Sequence, residues 1–425
     1  MSTSITSNAD TLAPDTGRPL SKIHSLRFAL AFIIFSVLWM SAGTIGSSVL
    51  LPARFNTLTH LGSGESILAS MNSIGIIFAL ISNVVFGTIS DNTRSKFGRR
   101  TPWILLGGPI AAVAFWMTGH TNTLVEIVAW WSVLQIGLNI MLAPAVAILS
   151  DRIPLSQRGT MSAFTGAGQI VGQSLGTIIG SAFLQNAQVG FIIGVVLWVL
   201  SGIVTVFILP RELPSENTDT ALDWKAVLAQ FRPPTKNAGD FYLALIGRLL
   251  LIFGYQMIIA YQLYVCMKYI NLSTAEAGAV VSTMAIITMV ISLVVSLGAG
   301  PISDKIGKRK APIFAASALI AIGFAIPWLF PTTTSMYLMS GIAGLGYGIY
   351  MAVDQALNVD VLPNPDEAGK DLGILNLANT LGQIVAPLVT SAIVLISGNY
   401  FLTFPVSIAA VMLGAVVILF IKKAK

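Results

Sequence analysis

The chain has 425 residues, of which 55% are hydrophobic and 10% are charged, and its mean hydropathy is +0.80. Soluble domains carry about a quarter of their residues as charged side chains, so this composition excludes a soluble enzyme. Apolar stretches of roughly 20 residues, the length of a helix that crosses a bilayer, recur along the whole sequence. The composition therefore predicts one multi-pass membrane unit rather than several soluble domains.

Twelve apolar segments follow one another as two sets of six. They lack the polar–apolar alternation that marks the strands of a membrane barrel, so we expect helices. The predicted fold class is an all-α membrane protein with twelve transmembrane helices in two six-helix bundles. The predicted spans are about residues 26–51, 66–89, 102–117, 124–149, 161–184, 190–209, 241–265, 277–297, 312–330, 336–361, 372–396 and 401–421.

The basic residues predict the orientation of these spans. Every Lys and Arg except Arg54, Lys268 and Arg248 lies in a tail or in a loop on one side. Because loops rich in Lys and Arg stay in the cytoplasm, both termini are expected to be cytoplasmic. The net charge of +6 and the pI near 9.4 are thus a topological signal, and we expect no nucleic-acid partner.

The segments outside the spans are short and polar. The predicted organisation is a disordered cytoplasmic tail, a six-helix bundle, a cytoplasmic linker, a second six-helix bundle and a short tail, at residues 1–25, 26–209, 210–240, 241–421 and 422–425. The first tail lacks the apolar core of a secretory signal. In the linker, Trp224, Val227, Leu228 and Phe231 recur at helical spacing and predict an amphipathic helix on the membrane surface.

An internal repeat relates the two sets of spans. GTISDNTRSKFGRR follows the second span and GPISDKIGKRK follows the eighth, with Asp91 and Asp304 213 positions apart. SDRIP with Asp151 ends the fourth span, and VDVLP with Asp360 ends the tenth. A Gly-Gln-Ile-Val sequence occurs in the fifth and eleventh spans, nine residues after another glycine in both. The chain is therefore interpreted as a duplicated six-helix unit, and such repeats mark alternating-access transporters.

The loop with Gly-x-x-x-Asp and Gly-Arg-Arg resembles the signature of the major facilitator superfamily. Its longer form, DNTRSKFGRRTPW, is similar to the version in glycoside–pentoside–hexuronide cation symporters and in the sucrose-transporter-like branch. GRLLLIFGYQMIIAYQLYV and AVDQALNVDVLP resemble bacterial members of that second branch. The resemblance implies a transporter whose helices 1, 4, 7 and 10 line a central cavity.

The same resemblance implies that the repeated loops act as a conformational latch in the outward-open state. The expected latch residues are Asp91, Arg99, Arg100, Asp151, Arg158, Asp304, Arg309 and Asp360. A simpler alternative is that the basic residues only fix the topology. For Asp151 and Asp360 we expect a structural network with Arg152, Arg158 or Lys370.

Two ionisable residues are predicted well inside the spans. Arg248 in the seventh span and Asp354 in the tenth each lie about seven residues from the cytoplasmic end of a helix, or roughly 10 Å deep. A charge at this depth costs about 3 kcal/mol, so a functional ion pair is expected. Asp354 with Arg248 is the predicted proton-coupling site, and substrate binding that breaks the pair would favour protonation of Asp354. Snorkelling of Arg248 or a purely structural pair are the alternatives.

Polar and aromatic side chains in the spans are candidates for a solute site. They are rich in amides and poor in charge, which suits an uncharged polyhydroxyl solute, although an isolated amide often only bonds a neighbouring helix. The predicted substrate-binding residues are Trp39, Asn72, Gln135, Asn139, Gln169, Tyr255, Gln256, Tyr261, Asn376, Asn379 and Gln383.

The predicted function is proton-coupled sugar symport by alternating access, in a cell membrane and as a functional monomer. Sodium coupling of the melibiose type is not expected, because the acids of the second and fourth spans, Glu65 and Glu126, lie near the outer ends. The alternatives are an exporter of drugs or metabolites and a transporter-like sensor. No Ser/His, paired-Asp or metal-ligand set occurs at usable spacing, so we expect no enzyme, no metal and no cofactor besides the proton.

Overall fold

The computed structural model describes residues 11–214, 232–235, 238–306, 309–363 and 368–422, and these residues are almost entirely helical. Twelve helices within them have 17 residues or more. These are α1 Lys22–Thr44, α2 Gly64–Asp91, α3 Thr101–His120, α4 Leu124–Arg152, α5 Leu155–Ala182, α6 Ala187–Ile208, α7 Gly239–Ile259, α8 Thr274–Ile306, α9 Lys310–Leu329, α10 Thr333–Asp360, α11 Ala368–Ser397 and α12 Thr403–Leu419.

Each predicted span overlaps one of these helices, which confirms an all-helical membrane protein. Ten helices in the described part of the chain are long and apolar enough to cross a bilayer. The other two are α5, whose sequence GAGQIVGQSLG is rich in glycine and amides, and α12, which has 17 residues. The total of twelve crossings and the side of the termini stay predictions.

The first helix of each half ends in a π-helical turn. α1 continues through the π-helical turn Ile45–Leu50 into the short helix Leu51–Phe55. α7 continues through Gln262–Tyr264 into the π-helical turn Val265–Tyr269. π-Helical turns are rare and are often found at functional sites.

The contacts divide the chain into two compact units. The first comprises residues 1–47 and 74–222, and the second comprises residues 48–73 and 223–425. This division follows the predicted halves except at residues 48–73, the end of the first span and the start of the second, which belong to the unit of the second half. The boundary between residues 47 and 48 falls inside the first π-helical turn.

Helix packing within each unit repeats the same pattern. In the first unit, α1 packs on α5 and α6, and α3 packs on α4 and α6. In the second unit, α7 packs on α11 and α12, and α9 packs on α10 and α12. Each pair in the second unit is a pair of the first shifted by six helices. The packing therefore agrees with the duplication inferred from the sequence motifs.

Glycines allow α5 and α1 to pack closely. A Cβ atom at Gly172 would lie 2.7 Å from the carbonyl oxygen of Val37, and one at Gly176 would lie 2.5 Å from that of Ser41. The Ser41 hydroxyl donates a hydrogen bond of 2.9 Å to the Gly172 carbonyl. In membranes, small residues of this kind let two backbones approach each other. The expected close-packing role of this glycine-rich stretch is thus confirmed.

The N-terminal tail differs from the expected disordered segment at residues 11–21. Ala13 is fully buried, and its N–H donates to the Arg18 carbonyl at 2.9 Å. The Asp15 carboxylate pairs with Arg152 at the end of α4 at 2.9 Å. α1 then begins at Lys22 with Ser21 as its N-cap. This ordered turn depends on a pairing between residues 137 positions apart, which composition does not reveal.

The predicted amphipathic helix of the linker lies outside the described residues, as do Trp224, Val227, Leu228 and Phe231. The linker is described at residues 210–214, 232–235 and 238–240. The expectation of a surface helix therefore stays a prediction.

We expect Gly172→Ala to lower the thermal stability of the purified protein, because the new methyl group meets the backbone of α1. Overpacking of this kind costs about 1–3 kcal/mol. Gly159→Ala is the matched control, since it lies in the same helix with no atom within 4 Å of the new methyl group. Gly159→Ala should be neutral or stabilising by up to about 1 kcal/mol, because alanine favours helix. Equal melting temperatures for both variants would contradict the packing described for α1 and α5.

Candidate functional site

A buried ion pair lies in the second unit. The Arg248 Nη1 of α7 is 3.1 Å from the Asp354 Oδ2 of α10, and the two side chains are 2% and 3% exposed. The predicted pairing is thus present. Because both charges are removed from water, each must find its remaining partners within the protein.

Three amide side chains complete what we call the Arg248 cluster. Arg248 donates from Nε to Asn379 Oδ1 at 2.9 Å and from Nη2 to Asn376 Oδ1 at 3.1 Å, both on α11. Asn358, one turn after Asp354 on α10, donates from Nδ2 to Asp354 Oδ2 at 3.1 Å. All three guanidinium nitrogens therefore face an oxygen acceptor, and the Arg248 cluster joins α7, α10 and α11.

Aromatic rings lie beside the Arg248 cluster. Tyr255 of α7 stacks on Tyr347 of α10 with 4.0 Å between ring centroids and 7° between planes. Tyr350, which is fully buried, lies 6.3 Å from Tyr347 between centroids. Phe324 of α9 lies 6.0 Å from Tyr255. The cluster is thus bordered by rings that pack on one another.

The structure brings only some of the predicted solute-binding residues together. Tyr255, Asn376 and Asn379 lie in or beside the Arg248 cluster. Gln256 is half-buried on α7, and Gln383 is exposed on α11. In the second unit, these five residues therefore fall on two helices that pack together.

The predicted residues of the first half lie on α1, α2, α4 and α5. Asn139 donates to the Gln135 carbonyl at 2.9 Å and accepts from Asn83 at 2.9 Å, so its amide links α4 to α2. The remaining members, all half-buried, are Trp39, Asn72, Gln135 and Gln169. Asn83, a polar residue of α2, was not among the predicted site residues.

Tyr261 is buried at the end of the seventh predicted span. Its side chain is 1% exposed, and its hydroxyl lies 2.9 Å from the Pro387 carbonyl and 3.3 Å from the Glu65 carbonyl. Its expected role in solute binding stays a prediction, and in this structure its hydroxyl is engaged by these two carbonyl groups. Tyr261 belongs to a second buried cluster, centred on Glu65.

Sequence reasoning missed the Glu65 cluster, which comprises Glu65, Lys268, Tyr261, Tyr264 and Tyr400. Glu65 is 1% exposed and accepts from Lys268 Nζ at 2.7 and 2.9 Å and from the Tyr400 hydroxyl at 3.0 Å. The position of Glu65 near a predicted outer end suggested an exposed acid. One feature of the sequence could have indicated the cluster: Lys268 is one of only two basic residues in the predicted non-cytoplasmic loops.

A third set of charges, the Arg100 network, lies in the first unit. Arg100, with its side chain 3% exposed, pairs with Asp91 and contacts Asp151 Oδ2 at 2.8 Å. It also donates to the Ser90 hydroxyl. Arg99, which is 39% exposed, pairs with Asp151 Oδ1 at 3.0 Å. These four predicted latch residues and Ser90 thus tie the ends of α2 and α4 to the start of α3.

Among the described residues of the second unit, Arg309 and Asp360 form a corresponding ion pair. Arg309 Nε lies 3.5 Å from Asp360 Oδ2, and both residues stand 209 positions after Arg100 and Asp151. Asp304 is placed on α8, but its side chain is outside the described residues, as is that of Lys370. The repeat therefore extends from the sequence motif to this ion pair.

The expected partners of Asp151 are corrected. Arg158 donates instead to the Ile153 and Ser150 carbonyls at 3.0 and 2.7 Å, where it satisfies the end of α4. Arg152 donates to Asp15 and to the carbonyls of Pro210 and Arg211. Asp151 pairs with Arg99 and Arg100, because these residues begin the helix that packs against α4.

Glu212 caps α3 and was not predicted. Its carboxylate accepts from the N–H groups of Arg99, Arg100 and Thr101 at 3.0–3.1 Å. An anion at a helix N-terminus satisfies free N–H groups and complements the helix dipole. Gly98 has φ +91°, and a Cβ there would lie 2.3 Å from the Glu212 side chain. This contact gives a physical reason for the glycine of the Gly-Arg-Arg motif.

Among the described residues, no group of three His, Cys, Asp or Glu could hold a metal ion. The sequence model of the Major Facilitator Superfamily matches residues 27–339 and 244–425. The chain belongs to this superfamily. Solved members share its fold. A bacterial homologue of the human lysosomal transporter Spinster aligns over 95% of both chains with a TM-score of 0.68 and 16% identity.

Further relatives are also transporters by name. The human organic anion transporter MFSD10 (TETRAN) covers 93% of this chain and 99% of its own, with a TM-score of 0.67 and 14% identity. An uncharacterized MFS-type transporter of Methanocaldococcus jannaschii is 24% identical over 89% of this chain and 91% of its own. An uncharacterized symporter of Synechocystis is 40% identical over 63 residues, 14% of this chain and 11% of its own.

We expect Arg100→Lys to destabilise the protein more than Arg99→Lys does. Lysine keeps the charge but loses the planar fork that reaches Ser90, Asp91 and Asp151 together. The loss at the buried Arg100 should be about 1–3 kcal/mol, whereas the exposed Arg99 should change stability by less than about 1 kcal/mol. Thermal unfolding in one detergent measures both variants, and a larger loss for Arg99→Lys would contradict the network.

Proposed function

We propose that the chain is a secondary active transporter that couples the uptake of a sugar to protons. The Arg248 cluster is the observation that carries this proposal: a buried carboxylate and guanidinium surrounded by amides. Such a pair is costly to bury and invites a functional role in a membrane protein. The proposed topology places both termini in the cytoplasm of a cell with the protein in its plasma or inner membrane.

In the proposed mechanism, Asp354 carries the coupling proton. The ionised carboxylate pairs with Arg248 at 3.1 Å. A proton on Asp354 neutralises the carboxylate, so that Arg248 keeps Asn376 and Asn379 as partners and can donate to a solute oxygen. Loss of the proton restores the pair and weakens the hold on the solute. Proton and solute therefore bind together and leave together.

An uncharged polyhydroxyl solute fits these groups. Amide side chains both donate and accept, as sugar hydroxyls do. The likeness to a Synechocystis symporter supports symport.

We also propose that the chain belongs to the sucrose-transporter-like branch, on the motifs described above, and that it functions as a monomer. No enzymatic activity is part of this proposal.

An exporter is the second candidate. The MFS antiporter QDR2 of Candida albicans is 24% identical over 46% of this chain and 38% of its own, and an organic anion transporter shares the fold. The buried Arg248 favours this alternative, because a guanidinium can also bind an anionic solute. In an exporter, solute and proton move in opposite directions.

The Arg100 network is the proposed conformational latch, together with Arg158, Asp304, Arg309 and Asp360. Its support is the recurrence of the Arg100–Asp151 pair as Arg309–Asp360 in the second unit. The longer distance and greater exposure of the second pair make it the weaker one, since exposed pairs contribute little.

Asp354→Asn tests proton coupling. In proteoliposomes with an inward gradient of one pH unit, the wild type should accumulate sugar up to about tenfold for one proton per solute. The variant should equilibrate the sugar without accumulating it, and exchange of labelled for unlabelled sugar should persist. Radiolabelled uptake across a sugar panel measures both. Accumulation by the variant at the wild-type level would overturn the role of Asp354.

Glu276→Gln is the matched control. Glu276 is an acid at the start of α8 that accepts locally from Ser273 at 2.6 and 2.9 Å, far from the Arg248 cluster in sequence. Its variant should accumulate sugar like the wild type. A separate arm distinguishes the exporter: an inward proton gradient should retain preloaded solute in a symporter, and should accelerate its exit in an antiporter.

A further inference from the structure

The Glu65 cluster buries a carboxylate where three separate segments meet within the second unit. Glu65 begins α2, Lys268 lies on the π-helical turn after α7, and Tyr400 lies just before α12. Tyr261 adds a contact to the Pro387 carbonyl of α11 at 2.9 Å. The cluster therefore fixes residues 48–73 against the segment after α7 and the segment before α12, and Tyr261 joins it to α11.

A second contact fixes the same segment. The Tyr264 hydroxyl donates to the Pro52 carbonyl at 2.7 Å, and Lys268 Nζ lies 5.1 Å from the centroid of the Tyr264 ring. A Cβ at Gly64 would come 2.4 Å from the Tyr264 hydroxyl, so this position accepts only glycine without a shift. Segment 48–73 is thus bound to the second half at two places, at Pro52 and at Glu65.

The chemistry of the cluster suits a contact that opens and closes. Replacement of a buried ion pair by apolar side chains of the same volume is often stabilising by about 1–4 kcal/mol, so a salt bridge is not the tightest closure. Lys268 is 37% exposed, and both ions regain water when they separate. The ion pair is therefore stable while water is excluded. Its separation has a small net free-energy cost once water hydrates both ions.

The chain geometry adds a place for movement. Residues 48–73 continue directly into α1 and α2, and the boundary between residues 47 and 48 lies in the π-helical turn Ile45–Leu50. Lys268 lies on the corresponding π-helical turn of the second half. π-Helical turns interrupt the regular α-helical hydrogen-bond pattern and are among the places where a helix can kink. Lys268 therefore lies on one π-helical turn, and Glu65 lies on segment 48–73, which begins in the other.

We propose that Glu65 and Lys268 form a gate at the non-cytoplasmic ends of the spans, with Tyr400 positioning the Glu65 carboxylate. The gate is closed here, and separation of the ion pair opens the solute path on that side. Such a gate requires only alternating access, which is common to symport and export. It would therefore operate in the same way for any solute, coupling ion or direction of transport.

Cys266 is a native reporter for this gate. It is the single cysteine of the chain, it is fully buried, and it lies two residues before Lys268 on the same turn. Opening of the gate should expose its thiol to a hydrophilic maleimide. The rate of modification in purified protein in nanodiscs therefore reports the open fraction, and Cys266→Ala gives the background.

Glu65→Gln and Lys268→Met should each raise the modification rate at least about tenfold, because loss of one partner of a buried pair is strongly destabilising for the closed contact. Tyr400→Phe, which removes only the hydrogen bond of 3.0 Å, should raise it about threefold. Glu126→Gln is the matched control and should leave the rate unchanged, since this exposed acid is held by its neighbour Thr123 at 2.8 Å.

The charge-swapped pair Glu65→Lys with Lys268→Glu separates gating from loss of folding. The swap should return the rate toward the wild-type value, whereas general unfolding would keep it high. Unchanged rates in both single variants and in Tyr400→Phe would overturn the gate. A swap no slower than the single variants would overturn it as well. None of these outcomes depends on sugar uptake, so they are distinct from a failure of the proposed symport.

Discussion

The free-energy cost of burying a charge away from water determines which helices of this structure are held together. Within the described residues, the strongly buried charged side chains that we discuss all have partners: Arg248 with Asp354, Glu65 with Lys268, and Arg100 with Asp91 and Asp151. Neither a bilayer nor a packed protein interior supplies a missing partner, so each buried charge is held next to the segments that carry its counter-ion. The three sets therefore decide which helix ends and helix faces stay together.

The duplication separates what is common to both halves from what is not. Helix packing and the Arg100–Asp151 pair recur in the second unit, as α7–α12 packing and as Arg309–Asp360. The Arg248 cluster does not recur: the position 209 residues before Asp354 is Ala145, which is buried and apolar. The shared features support a common mechanical role, whereas the unshared cluster makes the second half the place where we propose ion coupling.

The features that could be predicted from the sequence are those that depend on local residue pattern and on depth in the membrane. The helices follow from apolar length, and the Arg248–Asp354 pair follows from two opposite charges at similar depth. Contacts between distant residues were missed. Glu65 and Lys268 are 203 positions apart, and Asp15 and Arg152 are 137 apart, so neither pairing leaves a periodic trace. An aromatic residue in a span suits either solute binding or helix packing, so the two carbonyl contacts of Tyr261 could not be predicted from its position in the sequence.

In the proposed mechanism, proton and solute cross the membrane together. The most direct test is a pH electrode in a weakly buffered suspension of proteoliposomes that contain the wild-type protein. Addition of the transported sugar, with no imposed gradient, should make the outer solution more alkaline as protons enter with the solute. No change in pH while the sugar enters would contradict proton symport, and acidification would indicate the opposite movement of an antiporter.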